Sequence, residues 1–93
     1  MYASTRYYQG NAAVARQLAG RKDEVESIIS TIPGFVAYYL IESGDDMISV
    51  SVFDDESGAQ ASNQAAAGWL AENMPNAGVN PPRIAAGEVL LSL

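Results

Sequence analysis

The stretch that decides the fold is PGFVAYYLIESGDDMISVSVFDD, residues 33 to 55. Extended backbone sends alternate side chains to opposite faces of a sheet. Phe35, Ala37, Tyr39 and Ile41 therefore share one side, and Val36, Tyr38 and Leu40 share the other. Both sides are apolar. Ser43-Gly44-Asp45-Asp46 is a polar turn containing glycine, so the runs on either side of it form a hairpin. In the second run Ile48, Val50 and Val52 alternate with Ser49 and Ser51, which gives two faces of different polarity, one of them core. A chain of 93 residues has too little mass to cover both faces of such a sheet, so the second face requires a partner.

Reading outward from the hairpin supplies the remaining elements. YASTRYY, residues 2 to 8, suits a strand, which Gly10-Asn11 ends. Asn11 is placed to cap a helix whose apolar stripe runs Val14, Leu18, Arg21, Val25, Ile28, Ile32, with a break expected near Gly20-Arg21 and a stop at Pro33-Gly34. Beyond the hairpin, Asp54, Asp55 and Glu56 place negative charge at the start of a second helix, where the helix dipole favours it. Ala59, Asn63, Ala66, Leu70 and Met74 form the stripe of that helix, and residues 84 to 93, IAAGEVLLSL, close the chain as a strand. The order strand, helix, strand, strand, helix, strand specifies an α+β, ferredoxin-like βαββαβ domain over residues 1–93. Right-handed crossovers place both helices on one face of a four-stranded antiparallel sheet. The bare face, bearing either Tyr38 and Leu40 or Phe35 and Tyr39, predicts a homodimer joined sheet to sheet.

Charge and composition narrow the functions. Eleven acidic and five basic side chains give a net charge of -6, and the basic ones are scattered, which argues against nucleic acid and anionic membrane as partners. The chain has no cysteine and no histidine, so the expectation is no metal, no haem and no cofactor, and thiolate or imidazole catalysis is excluded. No apolar run is long enough to span a bilayer and MYASTRYYQG lacks the plan of a signal peptide, so a cytoplasmic location is expected.

Ile32-Pro33-Gly34-Phe35-Val36-Ala37-Tyr38-Tyr39, followed by Val50-Ser51-Val52-Phe53-Asp54-Asp55 and an alanine-rich helix bearing Trp69, resembles the dimeric α+β barrel superfamily, in its antibiotic biosynthesis monooxygenase-like branch. The resemblance implies a dimer whose two sheets pack as a barrel, and a cavity between sheet and helices. It also implies a range of activities, from cofactor-free oxidation of polycyclic aromatics to haem degradation. The haem-degrading branch is typified by a histidine ligand and an asparagine four residues before the tryptophan; here there is no histidine, and Ala65 stands four before Trp69.

Asn63 lies on the helix face that meets the sheet, and a buried amide there needs partners: a ligand, or backbone and water. Trp69 flanks the same stripe as a packing anchor or a cavity wall. Tyr38 and Tyr39 supply phenols for an aromatic ligand or fill the barrel. Arg6 could stabilise a developing anion, or sit at a sheet end paired with a carboxylate. Glu88 is a base if buried and a solubility device if it lies at an edge. Two functions follow: a small-ligand-binding homodimer acting as a cofactor-independent monooxygenase or isomerase on a small aromatic or enolic compound, or a non-catalytic homodimeric binding or stress-associated module.

Overall fold

Four strands and three helices arise from this sequence in a computed structural model that describes residues 1–93. In order they are β1 (Tyr2–Tyr8), α1 (Ala12–Ala19), α2 (Lys22–Ile29), β2 (Phe35–Ser43), β3 (Asp46–Phe53), α3 (Glu56–Asn73) and β4 (Arg83–Glu88). The expected first helix is divided, because Gly20 and Arg21 break it into α1 and α2. Every pairing is antiparallel and the strand order is β2-β3-β1-β4, the ferredoxin-like arrangement. The hairpin turns at Gly44-Asp45, with Gly44 at φ +59.

Two local features differ from the alternation read in the sequence. The register of β2 against β3 shifts between Phe35 and Ala37, a bulge at Val36. Phe35 therefore lies on the helix side with Tyr38 and Leu40, where its ring meets Phe53 edge-on at 5.9 Å, while Ala37, Tyr39 and Ile41 take the other side. In β3 the helix-facing residues are Met47, Ser49, Ser51 and Phe53, all buried, so the small polar parity lies beneath the helices and Ile48, Val50 and Val52 point to the open face. The last strand is also shorter than expected, running from Arg83 to Glu88, and Leu90, Leu91 and Leu93 beyond it are exposed.

The core forms between the sheet and the helices as two clusters, one around Tyr8, Val14, Leu18, Met47, Leu70 and Met74, the other around Ile29, Phe53 and Ala59. Asp55 caps α3, its carboxylate accepting from the backbone N–H of Gly58 at 3.2 Å. Asn11, expected to cap α1, makes no such bond. Its Nδ2 donates to the carbonyl of Gly78 at 3.1 Å and its Oδ1 accepts from the N–H of Asn80 at 2.8 Å, tying the loop after α3 to the turn between β1 and α1. No helix is long and apolar enough to cross a membrane.

Candidate functional site

The middle of β1 lies between β3 and β4 and under α3, so its helix-facing side chains meet groups from three elements. Ser4, Arg6 and Tyr8 occupy these positions, and all are buried. Arg6 is only 2% exposed. The sequence left open a sheet-end position with a carboxylate partner, but the structure places Arg6 mid-strand, and it forms no salt bridge. Its Nη1 donates to Oδ1 of Asn63 at 2.7 Å, and the hydroxyl of Ser4 donates to the same oxygen at 2.9 Å. Two donors on one oxygen fix the orientation of the amide and leave Nδ2 of Asn63 without a protein acceptor. Nε of Arg6 and the hydroxyls of Ser49 and Ser51, which face β1 across the sheet, are buried with no partner at full hydrogen-bonding geometry, the Tyr38 phenol being the polar group that approaches Arg6 and Ser49.

Two adjoining spaces include Arg6 in their walls. One of about 320 Å³ is walled by Arg6, Asn63, Leu70, Met74, Ile84 and the loop that Asn11 ties down. A small void of about 30 Å³ lies deeper, with Arg6, Tyr38, Ser49 and Trp69 in its wall. A third, of about 560 Å³, opens between α1, α2 and the edge strand β2, where Phe35, Tyr38 and Leu40 face Leu18, Val25 and Ile29. Tyr38 and Leu40 belong to the walls of both the void and this cleft, and Arg6 and Tyr8 to those of both the void and the cavity at Asn63. The three spaces thus form a row across the helix side of the sheet.

The cleft along β2 carries the carboxylates of Glu26 and Glu42, whereas no carboxylate lines the void or the cavity at Asn63. Burial holds the phenol of Tyr38 above the ordinary tyrosine range, and the Arg6 guanidinium beside it opposes that shift only in part, so Tyr38 keeps its proton at neutral pH. Arginine does not lose its proton in proteins, and an amide has none to give up. Around Arg6 the walls can therefore orient and neutralise negative oxygen, and the void and the cavity at Asn63 contain no group with the properties of a general base.

Of the residues singled out in the sequence, Asn63, Arg6, Tyr38 and Trp69 come together around these spaces. The Arg21 guanidinium stacks over the Trp69 ring at 4.8 Å, which anchors the break between α1 and α2 on α3. Tyr39 lies on the open face and is 59% exposed, and Glu88 is exposed at the edge strand, apart from the cavities. Ser49 and Ser51 escaped the sequence reading, although a strand with serine at every second position inside an apolar hairpin carries the signal of a polar inner face. No three His, Cys, Asp or Glu side chains converge as a metal site requires.

No family model matches the sequence, and no curated protein matches it. Solved structures do. NE2512 of Nitrosomonas europaea, a protein of unknown function, superposes with a TM-score of 0.72 at 22% identity over 99% of this chain and 91% of its own. The heme-degrader MhuD of Mycobacterium tuberculosis, solved with two hemes in its active site, gives 0.70 at 18% identity over 100% and 99%. SnoaB, a cofactor-independent oxygenase of Streptomyces nogalater, gives 0.60 at 17% identity over 99% and 94%. At these identities the likeness is one of fold: this chain has the ferredoxin-like α+β fold of the antibiotic biosynthesis monooxygenase-like, dimeric α+β barrel proteins.

Proposed function

We propose that the protein is a cytoplasmic homodimer that binds a small aromatic or enolic compound in the cavity beside Asn63 and promotes its oxidation by dioxygen without a cofactor. The observation that carries this reading is the pairing of Arg6 with Asn63 at the wall of a cavity of about 320 Å³, with donors left free. Donors held in place by the fold stabilise an enolate or phenolate oxygen in a space that excludes water, and such an electron-rich anion reduces dioxygen directly. The fold shared with a cofactor-independent oxygenase supports the choice of reaction class. Because the site lacks a base, the substrate must be acidic enough to ionise readily.

The dimer rests on the open face of the sheet. Val36, Tyr39 and Ile41 are 43%, 59% and 40% exposed, and Ile48, Val50 and Val52 continue the same apolar face onto β3.

Oxygen uptake with an anthrone, a tricyclic ketone that enolises readily, tests the reaction. The expected result is uptake well above the spontaneous rate, lost in Asn63→Leu. Binding of the anthrone by calorimetry with no acceleration would instead leave a non-catalytic binding dimer, the reading that the missing base favours.

A further inference from the structure

Arg6 presents an electrostatic imbalance that a neutral ligand would leave uncompensated. The chain has eleven acidic side chains, yet its most buried cation is bonded to a neutral amide and has no carboxylate beside it. A guanidinium cannot escape the cost of burial by losing its proton, so an unpaired one this deep is unfavourable until an anion arrives. With Nη1 on Asn63, Nε has no partner and Nη2 makes no hydrogen bond. Together these two form the side-on edge of the guanidinium fork, whose geometry matches the two oxygens of a carboxylate. Ser49 Oγ, also buried and without a hydrogen bond, and the protonated phenol of Tyr38 line the void of about 30 Å³ that shares Arg6, Tyr8 and Leu70 with the cavity at Asn63. A single water would fill that void but would not neutralise the charge.

We propose that the ligand of this site carries a carboxylate, which Arg6 receives while Asn63 holds the guanidinium in place, so that the substrate class is small aromatic carboxylates. This rests on the reading of the cavity beside Asn63 as a ligand site, with the aromatic body of the ligand in that cavity and its charged head directed at Arg6.

The matched probes 1-naphthoate and 1-naphthamide differ in charge but hardly in shape, and titration calorimetry at pH 7 compares them. The expected result for the unaltered protein is at least tenfold tighter binding of the naphthoate. In Arg6→Met the ratio of the two affinities falls to about one. In Asn63→Asp a built-in carboxylate on Nη1 neutralises the guanidinium, and the preference falls toward one. That second variant decides the matter if Arg6→Met does not fold. Equal binding of both probes by the unaltered protein overturns the carboxylate and leaves the cavity standing. Binding of neither overturns the cavity reading and this proposal with it. A preference that survives either substitution removes Arg6 from the role.

Discussion

Asn63 Oδ1 accepts two hydrogen bonds from buried groups, so its replacement tests how much of the site is held by that one atom. Asn63→Leu leaves the hydroxyl of Ser4 and Nη1 of Arg6 without an acceptor, and unsatisfied buried donors cost about 1–3 kcal/mol. The thermal midpoint should fall by several degrees at fixed protein concentration. Asn63→Asp keeps the acceptor and gives Arg6 an anion, so its midpoint should rise instead. If both variants melt like the parent, the two bonds contribute nothing measurable. Asp55 offers a separate test. Hydrogen bonds from the Ser57 hydroxyl and the Gly58 N–H hold its carboxyl below the ordinary aspartate range. A lowered folded pKa contributes stability that is present above the unfolded value, about 3.9, and is lost as the pH falls through the lower folded value. Asp55→Asn should therefore flatten the acid limb of a stability-pH curve below about pH 4, measured by urea unfolding. The acidic cap was legible in the sequence, since an Asp-Asp-Glu run ahead of an alanine-rich segment has few other uses. The environment of Arg6 was not, because alternation in YASTRYY says which residues share a face but not which face meets the helices.

At the scale of elements, α3 contains two glycines in opposite circumstances. A Cβ on Gly58 would lie 2.7 to 2.9 Å from the side chain of Phe53, which is fully buried, so neither partner has room to move. A Cβ on Gly68 meets nothing within 4 Å. Helix propensity favours alanine at both sites by about 1 kcal/mol. Gly68→Ala should therefore raise stability by roughly that amount, and Gly58→Ala should lower it by about 1–3 kcal/mol as overpacking outweighs propensity. Denaturant titration of the two variants reads the difference, and equal effects would mean that α3 does not approach β3 as described. Element order, the break at Gly20-Arg21 and the hairpin turn could all be read from periodicity and turn residues. Two features could not. The bulge at Val36 inverts the parity of Phe35 relative to Tyr39, and a one-residue irregularity leaves no mark in an unbroken apolar run. Ser49 and Ser51 face inward opposite Arg6 and Ser4; the alternation in MISVSVF marks one polar face but does not say that this face is the one beneath the helices.

For the whole molecule, the inward serines and the outward aliphatics have one consequence in common. The side of β3 that faces the helices is small and polar in the middle, whereas Ile48, Val50 and Val52, next to Ala37, Tyr39 and Ile41, build an apolar surface on the side with no helix. A monomer would leave that surface in water, and self-association through the same face twice over covers it with a single symmetry operation. Tyr39 and Tyr38 separate the two sides of the sheet although they are adjacent in the chain. A carboxylate at position 39 is harmless on an isolated monomer, where the side chain already meets solvent, but it is uncompensated when two sheets pack face to face. Tyr39→Asp should therefore run as a folded monomer of about 9.8 kDa in light scattering at micromolar concentration, with an unchanged far-ultraviolet spectrum. The parent protein and Tyr38→Phe, whose altered ring faces the helices, should both run at twice that mass. A parent protein that is monomeric at this concentration, or a Tyr39→Asp variant that stays dimeric, would assign the apolar face to some other partner.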